Sequence, residues 1–384
     1  MRYYSLQAYY FVFFVMNGFS VFLPKYYGEI GLSDGMIGVL GSVPTVVAMA
    51  FAPMLALLTD RVPKKRYMLC ALMILLAAFY FLAARCTTIV PLLLVVSLAA
   101  VFSNPVMPLA NTISLEYTQA VGKNYGHIRL MGTAGYQVGA LLIGAILAER
   151  LDKLYPMMGA VVLVSCGITF LMPNVEGHQH KNGKVPLSKL FADKHVRWLY
   201  FILFFCTIPT QFFMGFFTKH LGDLGMSNTM VSWVTLLSVV LELPFLCFGD
   251  RIVKKMNTWN WIMVGMLLNT IRWIGLAFSK SLLLILIFQI PMVTVMACYE
   301  YAPAFYLNKR VPQELAGSAQ SMHSLMMFGA AKIVGCLIGG QICEYTGIPM
   351  MFAICGVMGL VGCVFFWFKT RQLIKEDTVS LSAD

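Results

Sequence analysis

Six ionisable side chains, Glu116, Arg129, Glu242, Arg272, Glu300 and Lys332, stand in stretches of sequence otherwise almost free of charge. Such stretches read as membrane-spanning helices, and a charge at the centre of one costs about 3 kcal/mol even on a mild insertion scale. Five left unpaired near the middle would cost about 15 kcal/mol, more than the net stability of a typical domain. These groups must face a polar cavity or one another. Glu116 stands at the estimated end of its run, where an interfacial position accounts for it. Arg129 is followed by nineteen uncharged residues. Thr133 and Tyr136 fall at i+4 and i+7 from it, on one helical face, while Gly135 and Gly139 mark an adjacent smooth face. A guanidinium, a hydroxyl and a phenol on one face form a hydrogen-bonding surface for a polar solute. The alternative is a snorkelling arginine beside a core tyrosine. Thr235, Ser238 and Glu242 repeat the pattern at i, i+3 and i+7, and Tyr299 beside Glu300 reads as an aromatic wall. Tyr3, Gln7, Tyr10, Phe14 and Asn17 make an aromatic-polar stripe, which serves helix packing or the stacking of a flat ring. His323 and Lys332 are nine residues apart, on opposite faces of a regular helix, so only one lines a cavity, and His323, after the polar "GSAQS", is the favoured one.

The elements that position these groups are helices. The chain has 384 residues, 59% hydrophobic and 12% charged, with a mean hydropathy of +0.76. Twelve apolar runs of membrane-crossing length recur, the first at 4–24 and the last at 348–368. The first lacks a charged leader and a small-residue cleavage site, so it reads as a retained helix. The net charge of +11 reports topology, not nucleic-acid binding. With the N-terminus inside, nineteen lysines and arginines fall in cytoplasmic loops and termini, against six outside (Lys25, Arg85, Arg150, Lys153, Lys219 and Lys280), which places both termini in the cytoplasm. The ten cysteines lie mostly in apolar runs without CxxC spacing, so no disulfide framework, metal site or cofactor is expected. His178 and His180 of "EGHQHKNGK" read as solvated loop residues.

The chain also repeats itself. "IGLSDGMIG" (30–38) returns as "LGMSNTMVS" (224–232), "DRVPKK" (60–65) as "DRIVKK" (250–255), and "LLIGAILAE" (141–149) as "CLIGGQICE" (336–344). "GYQVG" (135–139) and "GCLIG" (335–339) occupy matching places and read as helix-packing motifs. The expected organisation is an N-terminal six-helix bundle (1–172), a polar cytoplasmic linker (173–195), a C-terminal six-helix bundle (196–368) and a cytoplasmic tail (369–384). Two such bundles put a site near the membrane midplane, open alternately to each side.

Over nearly its whole length the sequence resembles the major facilitator superfamily. The two "D-R-x-x-K-K" loops look like that superfamily's loop signature, with Ala56 and Leu246 standing where a glycine is usual. "NTISLEYTQ" followed by "IRLMGTAGY", "IRWIGLAF" and "VPQELAGSAQSM" is similar to the nucleoside–proton symporters. "YGxxRxxG" is shared with lactose-permease-like and phenylpropionate-permease-like groups. The resemblance implies an all-α membrane protein of twelve transmembrane helices in two pseudo-symmetric bundles. It also implies a substrate site containing Arg129, Thr133 and Tyr136, with Gln211 a further contact by position. Glu242 matches a carboxylate that binds sugar hydroxyls, and a carboxylate accepts two hydroxyls of a diol at once. Glu300 and Arg272 fall where related symporters keep a carboxylate and an arginine used in proton coupling. Asn111 stands where related groups often have an acid, removing one potential proton carrier.

The expected function is a proton-coupled symporter importing a small polar solute, nucleosides first and sugars second, in the inner membrane of a bacterium. Its partners would be substrate, protons and the lipid bilayer, the chain acting as a monomer. The alternatives are a proton-coupled exporter of drugs or amphipathic cations and an importer of aromatic carboxylic acids. A membrane-embedded enzyme is disfavoured, because the sequence holds no HExxH and no glycine-rich phosphate loop.

Overall fold

The computed structural model describes residues 2–62, 64–86, 88–147, 151–173, 187–240 and 256–381. Among them helix is the regular structure and no β-strand occurs. In chain order the helices are α1 (Arg2–Glu29), α2 (Asp34–Arg61), α3 (Lys65–Ala83), α4 (Ile89–Ala120), α5 (Tyr125–Ile146) and α6 (Leu154–Thr169). They continue as α7 (Lys194–Asp223), α8 (Asn228–Val240), α9 (Thr258–Phe278), α10 (Leu282–Arg310), α11 (Gly317–Thr346) and α12 (Ile348–Leu381). Nine of these hold a segment long and apolar enough to cross a bilayer, and α6 is a shorter apolar helix. The chain is a multi-pass, all-α membrane protein. The linker histidines His178 and His180, the second "DRIVKK" and Glu242 lie outside the described residues.

The first of the repeats seen in the sequence is a turn-and-cap module. Gly31 and Gly225, at the same place in the first repeat, both take positive φ, 84° and 79°, a conformation that glycine reaches without a Cβ clash. Two residues later, Ser33 Oγ accepts from the Met36 N–H and Ser227 Oγ from the Met230 N–H, each capping the helix that follows.

The matching glycine motifs do matching work. A Cβ on Gly135 would fall on the Phe11 carbonyl, and one on Gly139 on the Val15 carbonyl, so α5 lies backbone to backbone along α1. A Cβ on Gly335 would come 2.7 Å from the Ile208 carbonyl, and one on Gly339 2.5 Å from the Phe212 ring, so α11 lies along α7 in the same way. Both pairs run parallel, since the contact rises along both helices together. Helix association inside a bilayer lacks a hydrophobic driving force, and close approach at small residues supplies packing in its place.

The chain forms two compact units, Met1–Asn182 with Phe216–Leu236, and Gly183–Gly215 with Leu237–Asp384. They differ from the two sequence halves by the segment joining α7 to α8, which belongs to the first unit. Side chains on backbone carbonyls hold it there: Thr218 Oγ1 donates to Val21 (2.9 Å), Asn228 Nδ2 to Leu147 (2.6 Å) and Ser232 Oγ to Ala140 (2.7 Å). Lys219 Nζ adds Asp34 Oδ1 at 3.0 Å. Helix α12 continues to Leu381, past the apolar run that ends at 368. The polar extension keeps i,i+4 support, with Gln372 Nε2 donating to Glu376 Oε1 at 2.8 Å.

Candidate functional site

In the first unit, Asn124 caps α5 by accepting from the Gly126 N–H at 2.7 Å, and Arg129 follows one turn in. Its guanidinium lies over the Phe14 ring, 4.9 Å from the centroid. That ring also borders Gly132, where a Cβ would come 3.0 Å from Phe14. The arginine has therefore reached along the helix towards its interior, whereas a snorkelling arginine would turn back to the nearby helix start and the headgroups. Arg129 is also exposed, with Thr133 and Tyr136 half-buried. An exposed guanidinium at this depth is expensive against lipid, so the face must meet water or a polar solute.

Around Arg129 the aromatic stripe of α1 meets α4 and α5. Tyr10 Oη donates to Asn111 Oδ1 at 2.6 Å and Tyr125 Oη to the same oxygen at 3.0 Å. Tyr10 stacks on Phe14 with ring centroids 6.3 Å apart. The stripe thus packs α1, with Phe14 turned to the guanidinium. Asn111, the residue standing in place of an expected acid, accepts two phenols with one amide oxygen and fixes both rings.

In the second unit Arg272 is 0% exposed. Its Nη2 donates to Gln289 Oε1 at 2.9 Å and its Nη1 faces Asn269 Oδ1 at 3.4 Å. The guanidinium lies 4.0 Å from the Phe213 ring centroid and 4.4 Å from that of Trp273. Asn269 Nδ2 continues to Thr294 Oγ1 at 3.0 Å, giving a chain of polar groups between α9 and α10. The two helices run antiparallel, with Gly265 against Cys298, Asn269 beside Thr294 and Arg272 beside Gln289. Glu300 is eleven residues past Gln289, about 16 Å along α10. Arg272 and Glu300 therefore stand about three helical turns apart. Glu300 itself is half-buried.

Gln211 and Tyr299 are also inside this unit, 6% and 1% exposed. Gln211 packs its Cβ near Gly335 of α11. Tyr299 borders a small crevice with Phe205, Asn269, Thr270 and Trp273. The structure thus gathers Arg129, Thr133 and Tyr136 on one open face, and sets Gln211, Tyr299 and Arg272 among core side chains.

Two further groups are accounted for. Glu116 pairs with Lys65 of the "DRVPKK" loop at 3.1 Å, the lysine side chain 7% and the glutamate 27% exposed. His323 is buried, its Nε2 2.8 Å from the Tyr299 carbonyl oxygen, and Lys332 is half-buried. A widened π turn at Leu325–Ala330 lies between them. One inserted residue brings the nine-residue spacing from opposite faces to about 80° apart, so the opposite-face expectation does not hold. Gln289 and Asn269 carried no role in the sequence reading. Their signal was there, a lone glutamine in "LLLILIFQIP" and an asparagine one turn before Arg272.

Comparison with known proteins agrees with this architecture. The sequence profile of the MFS_1 like family matches residues 3–354. The maltose permease of Geobacillus stearothermophilus is 22% identical over 96% of this chain and 95% of its own. The putative nucleoside transporter YegT of Escherichia coli is 25% identical over 86% of this chain and 82% of its own. The crystal structure of a nucleoside transporter, NupG, superposes with a TM-score of 0.87 at 18% identity, covering 96% of this chain and 99% of that one. The chain belongs to the MFS_1-like family of the major facilitator superfamily, a family of membrane transporters and not of enzymes.

Proposed function

We propose that this transporter is a proton-coupled symporter that takes up a nucleoside, working by alternating access in the inner membrane of a bacterium with both termini cytoplasmic. The observation that carries the reading is the open face of α5. Arg129 presents up to five donors over an aromatic ring, with Thr133 and Tyr136 on the same face. A nucleoside offers what such a face takes, a flat base to lie against aromatic side chains and hydroxyl or carbonyl oxygens to accept from the guanidinium. The name of YegT supports the same substrate class. Gln211, Tyr299 and Glu242 complete the proposed contacts, Glu242 as acceptor of a sugar diol. A sugar is the second reading, favoured by the maltose permease among the relatives.

Proton coupling is assigned to Glu300, with Arg272 shaping its surroundings from a distance. The carboxyl of Glu300 loads a proton in one state of the carrier and releases it in the other. A membrane potential of about 100 mV supplies roughly 2.3 kcal/mol per charge moved, enough for about fifty-fold accumulation.

The test is uptake into proteoliposomes of radiolabelled uridine, maltose and phenylpropionate, with and without an imposed pH gradient. Gradient-driven accumulation of uridine alone is the expected result. Preferential uptake of maltose or phenylpropionate would replace the substrate class, and uridine uptake indifferent to the gradient would remove the proton. Glu300→Gln should retain uridine counterflow and lose accumulation. Wild-type accumulation by that variant would take the proton site away from Glu300.

A further inference from the structure

Helix α10 is interrupted at the residue that matters to the coupling proposal. Met296–Tyr301 forms a π turn, closed by the Ala302 N–H donating to the Ala297 carbonyl, an i→i+5 bond. Pro303 follows, buried. In a regular α-helix the N–H of residue 303 would donate to the carbonyl of Tyr299. Proline has no N–H, and its ring also crowds that same carbonyl. The Tyr299 oxygen thus lacks the donor that an α-helical return would give it, in a helix where no lipid group can replace the bond. A side chain of the neighbouring helix does so. His323 Nε2 lies 2.8 Å from the Tyr299 oxygen and the ring is 5% exposed. A carbonyl oxygen only accepts, so Nε2 carries the hydrogen and donates.

We propose that His323 is a positioning residue, supplying from α11 the hydrogen bond that Pro303 removes from α10 and so holding the turn that carries Glu300. Glu300 is the residue after Tyr299 within the π turn, and its backbone is fixed by the carbonyl immediately before it. A second π turn, Leu325–Ala330, begins two residues after His323. The tether therefore joins two adjacent irregular segments, which convert between π and α geometry by shifting one residue. Movement of α11 is passed to Glu300 through this bond. The replacement of the hydrogen bond stands on geometry alone, and its consequence for Glu300 rests on the transport reading above.

The test is a cycle of His323→Leu, Pro303→Ala and the double variant in lipid nanodiscs, read by amide hydrogen exchange of peptides covering 296–310. Leucine removes the donor, whereas alanine at 303 restores a backbone N–H. Exchange in His323→Leu should quicken by roughly tenfold or more, as an unpaired buried carbonyl requires. The double variant should return to within about threefold of wild type, since the restored N–H serves the Tyr299 oxygen. His323→Gln, which keeps a donor, should stay near wild type. Wild-type exchange in His323→Leu, or a double variant as fast as that single, would overturn the tether.

Uridine counterflow and gradient-driven accumulation in proteoliposomes of the same variants read the second half. His323→Leu should keep counterflow and lose accumulation, and the double variant should regain it. Accumulation by His323→Leu equal to wild type would cut the link to Glu300. Should the wild type carry no uridine, the substrate reading falls while the exchange cycle still decides the tether.

Discussion

Two arginines in membrane helices have been given opposite surroundings. Arg129 of α5 is exposed and lies over a single aromatic ring. Arg272 of α9 is wholly buried, its planar head against the neighbouring rings of Phe213 and Trp273 and its nitrogens on the amides of Gln289 and Asn269. Both carry the same charge on a largely apolar helix, and each must be compensated. For Arg272 the protein has built the compensation into its core. For Arg129 a face has been left open, and compensation must come from water or from what the carrier binds. Of two such arginines, the one whose surroundings are unfinished is the candidate for a working group.

The comparison breaks most easily at Arg272. Replacing it by alanine removes the donor from Gln289 Oε1 and leaves a void beside the Phe213 and Trp273 rings. Leaving the Gln289 acceptor unsatisfied costs about 1–3 kcal/mol, and the void adds to it. Arg272→Ala should unfold at a markedly lower temperature in detergent. Arg272→Lys should recover little, because an ammonium cannot reproduce a flat fork lying against two rings. An Arg272→Ala variant with the wild-type unfolding temperature would show that Arg272 is not part of the core's own compensation, and the contrast would collapse. Arg129→Ala should do the reverse. Its unfolding temperature should stay at the wild-type value while substrate affinity falls roughly ten- to a hundred-fold, the worth of a charged hydrogen bond of about 1.5–3 kcal/mol. Wild-type affinity in scintillation binding would put the site elsewhere.

Much of this architecture could be read from the amino-acid order. The helices announce themselves by apolar length, the half-chain repeats by their sequence echoes, and two closely packed helix faces by glycine spacing, though not which helices they meet. The Arg129–Thr133–Tyr136 face was legible because a regular helix converts spacing into direction. What was not legible depends on partners. Nothing in the spacing of Arg272 and Glu300 reveals that an antiparallel register sets them about three turns apart, since register is fixed by packing at Gly265 and Cys298. The relation of His323 to Lys332 failed for a different reason. A π turn inserts a residue that no local sequence pattern announced, and the angular arithmetic shifts by about 100°.

A smaller effect is expected at Glu116, where the partner is internal as it is for Arg272, but nearer water. Lys65 is 7% exposed and meets the carboxylate at 3.1 Å. Glu116→Gln keeps the shape and one acceptor oxygen while removing the charge. Stability should fall by about 1–2 kcal/mol, less than for a fully buried pair because the glutamate remains 27% exposed. Gradient-driven uptake should be unchanged. Loss of accumulation with counterflow intact would move the proton site from Glu300 to Glu116.

The smallest effect belongs to a third arginine, which sharpens the comparison from the aqueous side. Arg310, at the end of α10, donates from Nε to Asp193 Oδ2 at 2.8 Å, and Asp193 Oδ1 accepts from the His195 backbone N–H at 2.7 Å. Here an arginine meets a carboxylate, as it rarely does deep in a bilayer. Burial alone would raise the Asp193 carboxyl, but the Arg310 hydrogen bond and charge, with the His195 N–H, hold it below its ordinary value of 3.8. A carboxyl depressed in the folded state stabilises fully above its unfolded value and loses that contribution as pH falls through the folded one. The Asp193 contribution should therefore be whole above pH 3.8 and shrink below it. Partly solvated pairs contribute only about 0.2–1 kcal/mol, so the difference in unfolding temperature between wild type and Asp193→Asn should be small at pH 6 and smaller at pH 3. A difference that grows on acidification would mean that the neutral acid is the stabilising form. The sign of the Arg310 contribution, and with it the contrast between solvated and buried arginines, would then be reversed.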